Sequence, residues 1–414
     1  MNHVAVAVIG GGPSGLSAAA TLAPHVDGEV VVFEREAHTG GIPRHSDHLG
    51  YGIRDLHRFI SGPAYAKRLT AMAADAGAVL ETEAMVTGWA GERTMQITSP
   101  RGVRTVTADA VILATGARER PRPARMVPGD RPDGVYTTGQ LQNLVHLHHA
   151  KVGTRAVIVG AELVSWSAVL TLREAGCTTA AMVSGYRRPE AYAAFRSGGR
   201  LLMDGPVLTD SRLVAIHGRN RVQSVTVEHQ GTGARRDIDC DTVVFTGDWI
   251  PDHELARTGG LQMDAATRGP VVDAALRTSR PGVFAVGNLL HPVDTADGAA
   301  LDGRHVATAV QAWLRRGDEP VPSTAETLIR VEKPFRWVAP QLISAGAGMP
   351  ARGDLLLWTD EYHRLPKLCA VQDGRVLATK RTPWPAAPGR IYRAPWSLVA
   401  DADPKGGAVT LSLA

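Results

Sequence analysis

The stretch VAVAVIGGGPSGL, Val4–Leu16, decides the fold. Its first part, Val4–Ile9, is a continuous apolar run of the kind found in a buried parallel strand. Gly10, Gly12 and Gly15 follow with the spacing G-x-G-x-x-G. In this spacing the first glycine permits a tight turn, the second lets a pyrophosphate approach the backbone, and the third lets a helix pack closely on the strand. The stretch therefore predicts a strand, a phosphate-binding turn and a helix.

A second strand and an acidic residue complete the pattern. The run EVVVFE ends at Glu34, 24 positions after Gly10. An acid at this offset can hydrogen-bond the ribose of an adenine dinucleotide. A glycine-rich turn without a ligand is the alternative, but the order of strand, turn, helix, strand and acid favours a dinucleotide site.

The same plan recurs, altered, in RAVIVGAELVSW, Arg155–Trp166. Glu162 stands where the middle glycine belongs, so its side chain would occupy the phosphate position, and its charge would repel a pyrophosphate. Arg187 and Arg188 argue the other way, because arginines after the next strand can bind the 2′-phosphate of NADP. A favourable contact to the ribose phosphate cannot compensate for a pyrophosphate site that is blocked by a side chain. We therefore predict a second site that is degenerate and does not bind NAD(P)H.

Composition excludes several classes of protein. The chain has 414 residues, 44% hydrophobic and 21% charged, with a formal net charge of +4 and scattered arginines, which gives no indication of nucleic-acid binding. Its three cysteines form no C-x-x-C pair, which excludes an adjacent-cysteine redox disulfide and a four-cysteine iron–sulfur cluster. Neither a signal peptide nor a membrane span is predicted, so we expect a cytoplasmic protein.

Two further stretches suggest a family. ADAVILATGARERPRP contains a predicted strand that ends in Ala114-Thr115-Gly116, and SRPGVFAVGNLL contains another that ends in Gly287-Asn288. Together with the glycine turns they resemble FAD-dependent oxidoreductases with two dinucleotide-binding domains, the thioredoxin-reductase-like or pyridine nucleotide-disulfide oxidoreductase superfamily. The resemblance covers roughly residues 1–320. The segments starting at Gly40 and Gly287 are similar to amine- and opine-oxidase-type subunits and to flavoproteins associated with glycerol-3-phosphate dehydrogenase.

The resemblance implies an α/β fold with two Rossmann-like domains, the second inserted in the first, plus a small β-rich C-terminal domain. We expect a discontinuous FAD domain at 1–118 and 275–320, a degenerate NAD(P)-binding-like domain at 119–274, and the β-rich domain at 321–414. In the last region the runs GDLLLWTDEY and KLCAVQDGRVLATKR have the β-rich composition and turn residues typical of strands.

Non-covalent FAD is the cofactor that the resemblance implies. The family acid that follows the late glycine is replaced here by Asn288, which can still hydrogen-bond but carries no charge. A helix starting near Ala296 would direct its positive end at the flavin ring. The expected FAD contacts are Gly10, Gly12, Pro13, Ser14, Gly15, Glu34, Arg35, Gly41, Ile42, Arg44, Val86, Ala114, Thr115, Gly116, Gly287, Asn288 and Asp297.

Three histidines are candidate general bases, because imidazole titrates near neutral pH. His45 and His48 follow the ribose-binding strand, and His291 comes from the distant second part of the FAD domain. Each could equally be a hydrogen-bonded wall residue. Arg44 and Arg54 could anchor a substrate carboxylate through paired donors, or else contact an FAD phosphate or solvent.

The run HLHHA, His146–Ala150, raises the question of a metal site. His146 and His149 would share a helix face, but no cysteine or carboxylate at useful spacing accompanies them. A solvated helix end is the preferred interpretation, and we predict no metal.

Three functions remain open at this point. The first is an FAD-dependent oxidase or dehydrogenase that takes a hydride from a small amine, amino acid or hydroxy acid and passes electrons to oxygen, a quinone or a partner protein. The second is an NAD(P)H-dependent flavin reductase. The third is an FAD-bearing subunit of a larger redox complex. A small-molecule substrate is expected in the first case, and a protein partner or a homo-oligomer remains open in all three.

Overall fold

A computed structural model describes residues 2–191, 202–291, 293–317 and 325–414. The strands of its first sheet are β1 (Asn2–Ile9), β2 (Val30–Phe33), β5 (Val79–Glu81), β6 (Met85–Trp89), β7 (Thr94–Ser99), β8 (Gly102–Leu113) and β19 (Val283–Ala285). They have the order β5-β2-β1-β8-β7-β6, with the late strand β19 added beside β8. The strands β5, β2, β1, β8 and β19 run parallel, whereas β7 and β6 are antiparallel additions.

The parallel strands are buried because their residues are apolar on both faces. Val6, Ala7 and Val8 of β1 are fully buried, and all four residues of β2 are buried as well. A continuous apolar run suits a strand that is covered by helices on both sides. The strands predicted from Val4–Ile9 and from the run that ends at Glu34 are therefore confirmed.

Six helices are described: α1 (Pro13–Leu22), α2 (Gly62–Asp75), α3 (Thr138–Gln142), α4 (Leu163–Glu174), α5 (Glu254–Thr258) and α6 (Ala296–Arg316). Small residues let α6 lie directly against α1, because a Cβ at Gly303 would come within 2.0 Å of the Ser14 carbonyl oxygen. Pro13 is the first residue of α1, and the φ that its ring fixes is the φ of a helix, so it favours the start of a helix here. Within the described part of the chain, no helix has the length and apolarity to cross a membrane.

A second parallel sheet repeats the plan. Its strands are β10 (Val135–Thr137), β11 (Arg155–Val159), β12 (Thr178–Val183), β13 (Val207–Leu208) and β17 (Thr242–Phe245), in the order β10-β17-β11-β12-β13. An antiparallel sheet accompanies it, formed from β14 (Ser211–His217), β15 (Ser224–His229) and β16 (Arg235–Asp239). The chain then returns to the first sheet through β19. Two Rossmann-like units with the second inserted in the first confirm the predicted fold class.

Two short strand pairs complete this part of the molecule. An antiparallel pair, β9 (Ala117–Glu119) with β18 (Trp249–Pro251), marks the two crossings between the sheets. A second pair, β3 (Leu49–Tyr51) with β4 (Ile60–Ser61), encloses the loop 52–59. The residues just before β3, 45–48, contain His45 and His48 and are called the histidine segment below.

The C-terminal part is β-rich, as the sequence predicts. The strands are β20 (Glu326–Val331), β21 (Phe335–Ala339), β22 (Leu342–Ser344), β23 (Asp354–Thr359), β24 (Lys367–Gln372), β25 (Arg375–Arg381), β26 (Tyr392–Pro395) and β27 (Val409–Leu413). One sheet has the order β22-β20-β27-β24-β25 and the other β21-β23-β26, with a core that includes Leu355, Leu357, Leu368 and Tyr392. The residue bounds of the three domains remain a prediction.

Candidate functional site

A cavity of about 1580 Å³ runs along the carboxyl ends of β1, β2 and β11. Residues from both Rossmann-like units and from the C-terminal sheets line it. Ligands of open parallel sheets bind at this edge, where successive strands leave the sheet in different directions. The volume exceeds the 300 to 1,000 Å³ typical of sites for drug-sized ligands, so the cavity has room for a dinucleotide together with a substrate.

The first glycine turn leaves open space where a phosphate would lie. A Cβ at Gly12 would meet nothing within 4 Å, although Gly12 lines the cavity at the start of α1. Gly10 adopts φ +108°, and a Cβ there would lie 2.4 Å from the Ala114 carbonyl oxygen. A Cβ at Gly15 would lie 2.0 Å from the Gly10 oxygen, so this glycine permits the close packing of α1. The three glycines therefore stand in the arrangement that a pyrophosphate needs.

Glu34 is held in place at the end of β2. Its Oε2 accepts a hydrogen bond from the Gly11 N–H at 2.8 Å, and its Oε1 accepts one from the Glu36 N–H at 2.8 Å. Each carboxylate oxygen can accept a second bond, and Glu34 lines the cavity. The fixed carboxylate is therefore able to receive ribose hydroxyls.

Most residues predicted to contact FAD line this one cavity. Gly15 and Gly287 are not among the lining residues, and both instead permit close packing, since a Cβ at Gly287 would lie 2.8 Å from the Ser14 Oγ. The predicted residues that line the cavity are Gly10, Gly12, Pro13, Ser14, Glu34, Arg35, Gly41, Ile42, Arg44, Val86, Ala114, Thr115, Gly116, Asn288 and Asp297.

Asn288 and Asp297 hold in place the backbone that borders the cavity on the side of α6. The Asn288 side chain accepts a hydrogen bond from the Asp294 N–H at 2.9 Å and donates one to the Asp294 carbonyl oxygen at 3.1 Å. Asp297, in the first turn of α6, accepts from the Gly52 N–H at 3.1 Å and from the Arg54 N–H at 3.0 Å. The open turn at Gly12, the fixed acid at Glu34 and the α6 N-terminus together fit FAD.

The histidine segment forms a hydrogen-bond network at the cavity wall. His48 Nδ1 lies 2.9 Å from the Leu49 carbonyl oxygen and so carries the proton that this oxygen accepts. His48 Nε2, 3.1 Å from Ser46 Oγ, is then the acceptor for the Ser46 hydroxyl. Gln142 Nε2 donates to the same Ser46 oxygen at 3.2 Å. Burial lowers the pKa of His48 below its ordinary value, so the ring is neutral near pH 7 and can take up a proton.

His45 and His291 are more deeply buried than His48. Burial, together with a smaller effect of the nearby Arg44, lowers the pKa of His45 to about 4. Burial also lowers the pKa of His291 to about 4. His291 stacks on Trp337 with ring centroids 5.3 Å apart, and it is not among the residues that line the cavity. Of the three histidines, His45 and His48 reach the cavity and His291 lies behind its wall.

The second glycine turn is filled by Glu162. This residue precedes α4 at the helix N-terminus, and it is 9% exposed. Its carboxylate lies so close to the neighbouring glycines that a Cβ at Gly160 would be 2.7 Å from Oε2 and one at Gly247 would be 3.0 Å from Oε1. The space that Gly12 leaves open in the first turn is therefore occupied by a carboxylate in the second.

The C-terminal part packs against this second turn. A Cβ at Gly389 would lie 2.5 Å from the Cβ of Glu190 and 3.2 Å from that of Glu162. Arg188 lies 5.2 Å above the ring of Tyr362, which also belongs to the C-terminal part. One of the two arginines that favoured NADP thus stacks on an aromatic ring.

Sequence reasoning missed the residues that the C-terminal sheets contribute to the cavity. Trp337 and Trp358 stack with centroids 6.1 Å apart and line the cavity together with Arg393. Arg393 Nη2 lies 2.6 Å from Oδ2 of Asp294, which is in the loop between Asn288 and α6. The only signal in the sequence was a tryptophan-rich composition, which does not indicate where a strand will pack.

The histidine run also differs from expectation. His146 lies in a short π-helical turn, Asn143–Leu147, with a side chain that is only 6% exposed, and its Nε2 is 3.1 Å from Thr171 Oγ1. The solvated helix end expected for His146 is therefore wrong, because this turn packs on α4. Where the chain is described, no group of three or more histidines, cysteines or acids could hold a metal ion.

Comparisons with known proteins agree with this geometry. The pyridine nucleotide-disulphide oxidoreductase family matches residues 4–312. An opine oxidase subunit of Agrobacterium tumefaciens (strain Ach5) is 28% identical over 77% of this chain and 67% of its own length. The ferredoxin–NAD(+) reductase subunit of a Pseudomonas putida benzene 1,2-dioxygenase system is 28% identical over 70% of this chain and 67% of its own length.

Among solved structures, T. acidophilum thioredoxin reductase shares the fold. Its TM-score is 0.64 at 22% identity, over 75% of this chain and 99% of that structure. The family match covers both Rossmann-like units, and the first glycine turn and Glu34 fit the cofactor. The chain belongs to the pyridine nucleotide-disulphide oxidoreductase family and is an FAD-dependent oxidoreductase.

Proposed function

We propose that this protein is an oxidase or dehydrogenase that removes a hydride from a small amine, amino acid or hydroxy acid without using NAD(P)H. The observation that carries the proposal is the contrast between the two glycine turns. Gly12 leaves the space of a pyrophosphate open, whereas Glu162 fills the equivalent space in the second turn. A carboxylate there opposes the phosphates of NAD(P)H both by volume and by charge.

A bound FAD would supply the acceptor for the hydride that leaves the oxidised carbon. The chain must then take the proton that leaves the substrate nitrogen or oxygen. Neutral His48 is the best-placed acceptor, because it lines the cavity and its Nε2 faces the Ser46 hydroxyl. Ser46 would relay this proton: its hydroxyl gives its own proton to His48 Nε2 while its oxygen takes the proton from the substrate. The hydrogen bond that Gln142 donates holds the Ser46 oxygen in place. In this proposal His48 is the general base, and Ser46 relays the substrate proton to it.

His45 is a weaker candidate for the same role. Its Nδ1 is buried without a hydrogen-bond partner in the described part of the chain, so a ligand atom could pair with it. However, a base with a pKa of about 4 gains little by taking a proton near pH 7. His291 has a similarly low pKa and lies outside the cavity lining. We therefore assign His291 a structural role, in which its ring stacks on Trp337 and holds that side chain in the cavity wall.

Substrate binding would use the charged and aromatic side chains of the wall. Arg44 and Arg54 line the cavity near the histidine segment and can bind a carboxylate. Trp337 and Trp358, from the C-terminal sheets, add flat apolar surface to the lining. A small molecule with a carboxylate or an apolar group beside its reactive centre fits these surroundings.

A reductase is the second candidate function. The similarity to a ferredoxin–NAD(+) reductase subunit favours it, and Arg187 stands after β12, where an arginine could read a 2′-phosphate. The opine oxidase and dioxygenase-system relatives are both named as subunits, so a partner protein that receives the electrons is part of either proposal.

Anaerobic reduction of the FAD-loaded protein separates these functions. Amines, amino acids, hydroxy acids, NADH and NADPH would each be mixed with the protein, and the flavin absorbance near 450 nm would be followed. Bleaching by a member of the first three classes, with none by NAD(P)H, supports the proposal. Rapid bleaching by NADH or NADPH would assign the protein to the reductases. If no compound bleaches the flavin, copurification with a partner tests the role of an FAD-bearing component of a complex.

A further inference from the structure

The side chain of Gln142 joins the two Rossmann-like units at the cavity. Gln142 ends α3, the helix that follows β10 of the second sheet, and it is 3% exposed. Its Nε2 donates to Ser167 Oγ of α4 at 2.6 Å and to Ser46 Oγ of the histidine segment at 3.2 Å. All three residues line the cavity. One amide group therefore connects the histidine segment to the second unit.

The position of each proton in this chain of hydrogen bonds follows from the Leu49 carbonyl. A carbonyl oxygen can only accept, so His48 Nδ1, at 2.9 Å from it, carries a proton. Burial holds the pKa of His48 below its ordinary value, so the ring is neutral at pH 7 and Nε2 carries no proton. The Ser46 hydroxyl, 3.1 Å from Nε2, then donates to it. Because its one proton is used, Ser46 accepts from Gln142, whose NH₂ group therefore faces Ser46.

The chain of hydrogen bonds accordingly has one direction. Gln142 presents an N–H group to Ser46 and no acceptor, so the Ser46 proton remains on the bond to His48. When a substrate proton reaches the Ser46 oxygen, the substrate N–H or O–H bond breaks, a new O–H bond forms on Ser46, and the original hydroxyl proton moves to His48 Nε2. His48 gains the positive charge and Ser46 is a hydroxyl again, so atoms and charge balance.

Helix α4 holds Gln142 in this orientation. A π-helical turn, Asn143–Leu147, begins directly after Gln142, and its His146 has Nε2 3.1 Å from Thr171 Oγ1 of α4. Gln142 and His146 are four residues apart, as are Ser167 and Thr171, so two contacts fix the end of α3 to one face of α4. Ser167 and Thr171 are both buried, and buried hydroxyls are costly to leave without partners. The amide of Gln142 is therefore unable to turn freely.

We propose that Gln142 is a positioning residue, which keeps the Ser46 hydroxyl directed at His48 so that the relay accepts a proton from the cavity. The inference rests on the proposed function, in which His48 is the general base. It gives the second Rossmann-like unit a part in the reaction that requires no bound NAD(P)H, because α4 holds Gln142 and Gln142 holds the relay.

Other groups near the relay do not set its direction. The Tyr51 hydroxyl is close to Ser46, and burial raises the pKa of Tyr51, so it is a neutral group that can either donate or accept. Burial dominates the lowered pKa of His48, and the charge effects of His146 and Asp47 are smaller and opposite in sign. The charged or titratable groups around the relay are Arg44, His45, Asp47, Tyr51, His146 and Asp297.

NMR of the FAD-loaded full chain with isotope-labelled histidine tests the proposal without a substrate, because the ring nitrogen shifts show which nitrogens carry protons. Comparison with His48→Asn identifies the signals of His48. In the wild type at pH 7 we expect a proton on Nδ1 and none on Nε2. Gln142→Glu keeps the shape but offers Ser46 an acceptor, so the hydroxyl turns away from Nε2. The pKa of His48 should then rise by at least about one unit.

Two further variants separate the hydrogen bond from the added charge. Gln142→Met removes the donor without a charge, and it should raise the pKa of His48 in the same direction, because the Ser46 oxygen is then free to accept from a protonated Nε2. Gln140→Glu is the matched control, since Gln140 lies in the same helix but is exposed, and it should leave the pKa of His48 within about 0.4 units. Retained FAD absorbance and an unchanged unfolding midpoint verify that each variant is folded.

Three results would overturn the role of Gln142. They are a wild-type His48 with its proton on Nε2, a pKa of His48 that neither Gln142 variant raises, and an equal rise in Gln140→Glu. Failure of the proposed function gives a different result, in which His48→Asn keeps full turnover while the NMR result for Gln142 is unaffected.

Discussion

Asp294 and Arg393 form an ion pair, 2.6 Å between Oδ2 and Nη2, that joins the loop before α6 to strand β26 of the C-terminal sheets. Arg352 Nη2 lies 3.3 Å from the same carboxylate oxygen. Burial alone would raise the pKa of Asp294, but Arg393 and Arg352 hold it below its usual range. The carboxylate is therefore ionised at neutral pH and fixes the C-terminal wall to the cavity.

Replacing Asp294 with Asn should destabilise the protein by about 2 to 3 kcal/mol, because two partly buried guanidinium groups lose their shared counter-ion. Since the folded-state pKa is lowered, the pair stabilises the protein throughout the neutral range and fails only as the pH drops below the usual range of a carboxyl group. Denaturant unfolding at pH 7 provides the measurement. Asp360→Asn is the control, because its pair with Arg336 is exposed and should be worth less than about 1 kcal/mol. Equal losses in the two variants would contradict this assignment.

Gly12→Glu should abolish FAD binding while the protein still folds. A side chain at this position meets no protein atom within 4 Å but would enter the space of the pyrophosphate. Flavin absorbance after purification and mass spectrometry of the released cofactor are the measurements. Gly88→Glu is the control, since a Cβ at Gly88 would meet only Gln96 Oε1, at 3.9 Å, and Gly88 lies outside the cavity lining; this variant should retain full FAD. A flavin-replete Gly12→Glu protein would show that the phosphates lie elsewhere.

His48→Asn should lower kcat about 100-fold on the true substrate if the imidazole takes the substrate proton. Only the neutral ring can do so, and burial holds its pKa below the ordinary value of 6.5. For the wild type, kcat/KM should therefore be level at pH 7 and decline as the pH falls below about 6.5. His57→Asn, in an exposed loop outside the cavity lining, should leave kcat and the pH profile unchanged. A His48→Asn enzyme with wild-type kcat and the same acid limb would disprove the assignment.

Neither NADH nor NADPH should reduce the wild-type flavin on the timescale of substrate turnover. Glu162→Gly removes the carboxylate from the N-terminus of α4, and we expect it to strengthen NADPH binding at least about tenfold. Glu190 and the loop at Gly389 still crowd the turn, so rapid reduction is not expected even in this variant. Anaerobic stopped-flow absorbance and calorimetry measure the two quantities. A micromolar dissociation constant for NADPH in the wild type would refute the closed second site.

The glycine turns and their strands could be predicted from sequence because their requirements are local. A tight turn with φ +108° at Gly10 and a close helix approach at Gly15 each exclude a side chain. A glycine at these positions therefore indicates the backbone conformation directly. The apolar run of β1 similarly reports burial on both faces. Glu162 indicated a blocked turn for the same local reason, since a side chain stands where open space is needed.

Only the tertiary structure decided which distant side chains meet. His45, His48 and His291 had equal claims in sequence, but packing placed the first two at the cavity and buried the third behind Trp337. Glu119 and Glu190, 71 positions apart in the chain, have raised pKa values mainly because folding buries them, and the nearby carboxylate of Glu162 adds a smaller contribution. Burial and charge–charge contacts depend on neighbours that are remote in the chain, whereas a glycine turn depends on its own backbone. The local chemistry of this protein was therefore determined by its sequence, and the composition of its cavity by its packing.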